Sequence, residues 1–384
     1  MMRKLENLFK NNDIVGLKFS KNIVYYNNGA VHICVNQSAM TNGMTGDQIW
    51  EILTKINYSL KRYPGKIPLI IHIGKTEFVD KLVYVMLECI CYYIVGVLRR
   101  KIVLQMDCTF GIWTEGILAS PLKYLQDGNY NQFCKSFRFD INGNHYRRVV
   151  LYDENDDESP SKIMQEIGYF LKYADVCIED VSILVEVIIE LVGNAGEHGK
   201  SDCLIDIDIT ESNYTKMEGS KDEHYYGMNV TIVSFSEIPF YEPLQNRMSK
   251  SELLPDRYRD VILAEKNHGV CYSKDYSQKD FYIISSFQDK ISGSFKKNNA
   301  GGTGLTFLIN SLEESAEDEY CYMATEKRIL FFKKEYMKYN KEGWIGFNES
   351  GNYIESIPDL KCFGEGKTFV PGTAFNLGFV IRKV

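Results

Sequence analysis

No Cys-x-x-Cys pair occurs among the ten cysteines of this 384-residue chain, and the closest two, Cys89 and Cys91, sit inside an apolar run. That excludes a disulfide framework and points to reduced, mostly buried thiols. The cysteines and the six histidines also lack the spacing of a metal site. The opening Met1-Met2-Arg3-Lys4-Leu5-Glu6-Asn7 is basic, but no apolar segment follows it, so no secretory signal is read and a cytoplasmic location is expected. The most membrane-like stretch, residues 82–98, is marginal in length for a bilayer span and carries Glu88, which predicts a buried helix and no membrane partner. There is no excess of positive charge. Lys+Arg of 44 against Asp+Glu of 51 gives a net charge of -7, which argues against nucleic acid as the main partner but leaves room for a local basic patch. No internal repeat or low-complexity tract is present. With 45% hydrophobic and 25% charged residues the composition is that of a folded globular protein, and at roughly 150 residues per domain its length predicts two or three domains, of which two are expected.

Residues 14–36 alternate polar and apolar around Asn27-Asn28-Gly29, a hairpin signature joining strands at 22–26 and 30–35. A helix is read at 46–63, ended by Pro64-Gly65. A buried strand at 67–73, a helix at 78–98 and a second buried strand at 101–105 read as a parallel crossover unit in an α/β layer. Across residues 67–105 the strand, then Glu77-Phe78-Val79-Asp80, then the helix resemble a STAS domain. In that family a phosphorylatable serine follows the aspartate, and here Lys81 and Leu82 stand there. The acidic stretch 153–160 reads as a linker or surface loop. The expected organisation is an N-terminal α/β domain over 1–150, a linker at 151–160 and a second domain over 161–384. Within the latter, helices are read at 162–173, 179–198 and 304–314. Strands are read within 203–235 and at 320–324, 328–332 and 373–380. Residues 242–300 read as an irregular, polar lid.

On the helix 181–198, Leu184, Ile188, Leu191 and Ala195 share one side and Glu186, Glu190, Asn194 and Glu197 the other. Glu190 and Asn194 lie four apart, one above the other. By itself this describes an amphipathic helix with a solvated face. Downstream, Asn298-Asn299-Ala300-Gly301-Gly302-Thr303-Gly304-Leu305 precedes an apolar helix, with Lys296 and Lys297 just before it. Glycines there let backbone N–H groups close on a phosphate at the helix N-terminus, although an ordinary flexible loop would look the same.

Together these segments resemble the GHKL superfamily, the ATP-binding fold shared by histidine kinases, DNA gyrase, heat-shock chaperones and anti-sigma kinases. Residues Glu190 to Gly199, reading ELVGNAGEHG, match the family's N box, and the trailing His198-Gly199 is most similar to the anti-sigma kinase branch. Gly301-Gly302-Thr303-Gly304-Leu305 matches the glycine box, and Phe369-Val370-Pro371-Gly372-Thr373-Ala374-Phe375 matches the final Gly-Thr strand. The resemblance implies an α/β sandwich with a mixed sheet and ATP and Mg as cofactors. It gives Asn194 to the magnesium ion and Glu190 to the attacking nucleophile, roles consistent with a hard cation's oxygen ligands and a carboxylate base. Gly301, Gly302, Thr303, Gly304, Leu305 and Thr373 would contact the nucleotide. His198 reads either as a cation at a helix C-terminus or as part of the lid.

One box departs from the pattern. Where the family carries Asp-x-Gly-x-Gly after a strand, this chain has Val230-Thr231-Ile232-Val233 followed by Ser234-Phe235-Ser236-Glu237. Ser234 can accept a hydrogen bond from an adenine amino group, but a neutral hydroxyl is a weaker partner than a carboxylate. Gly364-Glu365-Gly366-Lys367-Thr368 imitates the end of a P-loop, yet Lys361 replaces its first glycine and a strand follows. No His-Glu or His-Asp phosphoacceptor motif precedes a helix hairpin, which argues against a complete sensor kinase.

Two functions follow from the resemblance. One is an enzyme that hydrolyses ATP or phosphorylates a protein partner. The other is a degenerate binding module that works as a switch or interaction surface. The fusion to an N-terminal domain suggests a setting in bacterial stress or phage defence, and homodimerisation is compatible with either.

Overall fold

A computed structural model describes residues 3–36, 43–107, 120–152, 159–214, 225–250, 254–294, 304–316 and 321–384. After the short helix α1 (Glu6–Asn11), strands β1 (Val24–Asn27) and β2 (Ala30–Cys34) pair antiparallel through Asn28 and Gly29. Both turn residues have positive φ, 46° and 78°, as a two-residue hairpin turn demands. Helix α2 (Gly46–Arg62) starts from a capping box between Thr45 and Gln48. β3 (Leu69–Lys75) pairs parallel with β2, and β4 (Ile102–Asp107) pairs parallel with β3. Between them runs α3 (Lys81–Tyr92), capped by Asp80 and continued by a π-helical turn over Tyr93–Val97. The result is a four-stranded mixed sheet in the order β1-β2-β3-β4. Among the described residues no helix is long and apolar enough to cross a membrane. The apolar stretch beginning at Leu82 is instead buried protein core.

Helices α4 (Lys123–Gln126) and α5 (Tyr130–Arg138) lead into the hairpin β5 (Phe139–Asn142) and β6 (His145–Val150). Then come α6 (Ser159–Tyr173), α7 (Ile178–Glu197), β7 (Cys203–Tyr214) and β8 (Tyr225–Ser234). Three helices, α8 (Glu242–Lys250), α9 (Asp256–Gly269) and α10 (Gln278–Ser285), precede α11 (Gly304–Ser315), β9 (Tyr322–Phe331) and β10 (Phe363–Arg382). The strands form one sheet in the order β5-β6-β7-β8-β10-β9.

The chain is thus mixed α/β, with three differences from the sequence reading. The second sheet is antiparallel at every pairing, and the mixed sheet is the N-terminal one. The boundary at 150 falls inside the second sheet, because β6 pairs with β7 along its whole length. Residues 242–300 are also not irregular where described. They supply α8 to α10, and Tyr258, Val261, Tyr276, Phe281 and Phe287 in and around these helices are buried in the main core. These helices are short and carry many polar residues, so no long apolar stripe marks them in the sequence. Residues 153–158 of the linker lie outside the described residues, and 159–160 already belong to α6.

Strand alternation divides the six-stranded sheet into two faces. Tyr146, Ile205, Ile207, Met228, Val230, Ile232, Phe375 and Leu377 face the core built with α6, α7 and α11. His145, Arg147, Asp206, Asp208, Thr231 and Asn376 alternate with them and are all buried, beneath α3. Lys81 lies 2.5 Å from Asp206 and also pairs with Asp208, while Arg147 pairs with Asp206 and lies 2.5 Å from Glu88 of α3. Tyr84 donates to Asp208, and the backbone N–H of Leu82 donates to the Asn376 side chain. Asp80 also accepts from Tyr322 of β9. The position where the STAS resemblance expects a phosphoacceptor is therefore held by a lysine that pins the N-terminal layer to the sheet.

Burial by itself would push His145 down, but the charge of Asp206, hydrogen bonds to Asp140 and Asp206 and the charge of Asp208 outweigh it and raise the imidazole to about 9. His145, Lys81 and Arg147 thus face Asp140, Glu88, Asp206 and Asp208 in one network. Removing one member leaves a buried charge uncompensated, so Arg147→Met should cost about 3 kcal/mol or more in urea unfolding. A loss below about 1 kcal/mol would show that the layer does not rely on the pair. Because the folded pKa of His145 lies above its unfolded value of about 6.5, its contribution is complete below that pH and disappears as pH rises through about 9. Unfolding free energy should fall across that window in the wild type and fall distinctly less in His145→Gln.

Candidate functional site

Helix α7 begins with Glu179 and Asp180 in its first turn, which favours the positive end of the helix dipole. Its apolar stripe of Val181, Leu184, Val185, Ile188, Leu191, Val192 and Ala195 is buried in the core, and its last turn closes with the His198 N–H donating to the Asn194 carbonyl. Glu190, Asn194 and His198 follow at intervals of four on a half-buried strip. That strip lines a cleft, whose floor is made by Ser234 at the end of β8, by Ser236, and by Thr373 and Phe375 of β10. Leu305, the second residue of α11, completes this side.

Close backbone approach holds the floor together. The Ser234 hydroxyl accepts from the Thr373 N–H and donates to the Thr373 carbonyl, both at 3.3 Å. Ser236 Oγ donates to the Gly199 carbonyl at 2.6 Å and accepts from the Ile238 N–H, which ties the end of β8 to the end of α7. Gly372 has φ of +73°, and a Cβ there would lie 2.7 Å from the Ser236 nitrogen and 2.8 Å from the Ser234 carbonyl. A Cβ on Gly199 would meet the Ala195 carbonyl at 2.7 Å.

The facing wall comes from Phe240, Pro243 and Leu244 around the start of α8 and from Ile291, Ser292 and Gly293 after α10. Buried Arg247 of α8 donates to the carbonyls of Ser292 and Ser294 and lies 4.3 Å from the centre of the Tyr258 ring, while a Cβ on Gly293 would meet Pro243 at 2.6 Å. The free volume left between the walls is about 80 Å³. That is narrow beside the roughly 300 Å³ or more of ordinary ligand pockets.

Of the residues expected from the sequence, Glu190, Asn194, Ser234, Leu305 and Thr373 all line this cleft. Gly304 opens α11, and Gly301, Gly302 and Thr303, with Lys296 and Lys297, lie outside the described residues. Gly364 to Thr368 belong to β10, so the P-loop-like run leads into no helix. The sequence reading missed Ser236, Phe240, Pro243 and Ser292. Ser236 was legible as part of the altered box, whereas the wall residues gave no signal because their segment reads as irregular.

His145, Asp206 and Asp208 form the one group of three metal-capable side chains found among the described residues, with ligand atoms within 4.8 Å of one another. Lys81 and Arg147 already neutralise the two aspartates, and His145 would have to lose its proton to bind an ion. We therefore treat this group as a salt network. The nine described cysteines are all free thiols. No family model, no curated protein and no solved structure matches this chain.

The floor of the cleft predicts a local sensitivity. Gly372→Ala adds a side chain where both φ and space forbid it, so it should destabilise the protein by at least about 2 kcal/mol in denaturant unfolding. A neutral result would mean that the Ser234–Gly372 approach is not a tight constraint.

Proposed function

We propose that the chain is an ATP- and magnesium-binding regulatory protein of GHKL type, built from a GHKL-type domain and a STAS-like N-terminal layer, that hydrolyses ATP or phosphorylates a protein partner. The observation that carries this reading is convergence. Segments around positions 190, 234, 305 and 373, far apart in sequence, contribute Glu190, Asn194, Ser234, Leu305 and Thr373 to one cleft.

The donor set fits the cofactors. Asn194 offers a carboxamide oxygen of the kind a hard cation prefers, and Glu190, one turn earlier on the same strip, would orient or deprotonate a nucleophile. Bound magnesium would neutralise phosphate charge. The glycines at 199 and 372 allow the backbone to come close under the cleft. The free volume of about 80 Å³ is small beside a nucleoside triphosphate, so this reading expects the wall of α8 and residues 291–293 to move away from α7 when nucleotide binds.

One observation favours the binding module over the enzyme. Ser234 occupies the adenine position of the altered box, and its hydroxyl is already engaged in both directions by Thr373. Adenine recognition through it would have to compete with those bonds.

Calorimetric titration with ATP, with and without Mg²⁺, tests the reading. Asn194→Ala should weaken binding in a Mg²⁺-dependent way, whereas Glu190→Ala should leave binding nearly intact and lower turnover by roughly 10²-fold or more. Hydrogen exchange at 240–244 and 291–293 should change when ATP is added. Binding without turnover would select the switch module, and no binding at millimolar ATP would end the nucleotide reading.

A further inference from the structure

On the side of the fold where α5 meets β6 there is a second concavity, of about 690 Å³, that shares no lining residue with the cleft of α7. Four cations line it: Arg99 from the segment after α3, Lys135 and Arg138 from α5, and Arg148 from β6. Among the described residues no carboxylate lines it. Arg148 lies 3.8 Å from Glu166, and Asp202 is engaged by the Tyr152 N–H. Arg99, Lys135 and Arg138 form no ion pair among the described residues. The dipole of α5 accounts for basic residues in its last turn. It does not account for Arg99 and Arg148 facing the same void from other elements.

The backbone at Arg99 is a second, independent observation. α3 widens into a π-helical turn, in which the Leu98 N–H reaches the Tyr93 carbonyl, and Arg99 follows with φ of +55°. Glycine or asparagine suits that conformation better than arginine, and π-turns in α-helices often mark functional positions. Arg100 is buried and donates to the carbonyls of Ile67 and Tyr63, which fixes the chain on the far side. What arginine adds at 99 is its guanidinium, on a residue that lines the pocket.

We infer that this pocket is a binding site for a small molecule carrying two or more adjacent phosphates, distinct from the proposed ATP cleft. Guanidinium groups match phosphate oxygens in paired hydrogen bonds, and four cations from three segments suit a multiply charged anion better than a single carboxylate. A concavity of about 690 Å³ takes a compact ligand, whereas a nucleic-acid backbone calls for an extended basic stripe. Exposed Phe139, with Arg148 stacked on its ring at 5.1 Å, gives the rim an apolar surface for the rest of the ligand.

The test is calorimetric titration of the full chain with inorganic tripolyphosphate in Mg²⁺-free buffer at low and moderate salt. Wild-type protein should bind, more weakly as salt rises. The double variant Arg99→Asn/Arg138→Ala, which keeps a residue tolerant of positive φ at 99, should lose affinity at least tenfold. Lys135→Ala, on an exposed face of α5, should weaken binding severalfold without change in thermal unfolding. No binding at millimolar tripolyphosphate, or binding that survives the double variant, overturns the proposal.

Discussion

The architecture depends on a polar interface where an apolar one would be expected. α3 lies across the face of the six-stranded sheet that carries Asp206, Asp208, His145 and Arg147, and it meets them with Lys81, Tyr84 and Glu88. Charges so placed contribute little net stability against an apolar replacement, but they tolerate no mispairing. Their use here is in register. Lys81 can bridge Asp206 and Asp208 only if α3 enters the sheet at one position, and the bonds of Asp80 to Tyr322 and of Leu82 to Asn376 fix the same position from two other strands. The two cores, one on each face of the sheet, are joined through that register.

Local elements were legible in the sequence because local rules decide them. The hairpin at Asn28-Gly29, the crossover from β3 to β4 and the long helix α7 follow from turn chemistry and periodicity. The boundary at 150 was not legible, because an acidic stretch looks like a linker whether or not a strand before it belongs to the next sheet. The same limit hid the charge network. Asp206 and Asp208 alternate with Ile205, Ile207 and Ile209, the pattern of a strand with one face in water, and only the packing of a distant helix turns that face inward.

The cleft divides in a similar way. Its α7 side was readable, since Glu190 and Asn194 share a helix face and Thr373 sits in a Gly-Thr strand. The opposing wall was not. Phe240, Pro243 and Ser292 reach the cleft through a helical subdomain whose core is aromatic and assembled from distant segments, with Trp344 and Tyr353 stacked at 5.3 Å and Phe287 against Phe332 and Phe347. Such a core has no periodic signature in any one stretch.

Strand β10 bears on how the protein is made. It is synthesised after the other nine strands, yet it occupies an inner position between β8 and β9 and runs for 20 residues. Until it emerges from the ribosome, β8 is an open edge, β9 has no neighbour, and the face that receives α2 and α3 is incomplete. Those parts of the sheet cannot assemble progressively during translation but must wait for a late insertion of high contact order. From the completion of β8 at Ser234 until β10 emerges the nascent chain therefore carries an exposed β-edge, and its yield in the cell should depend on the chaperones that shield such edges.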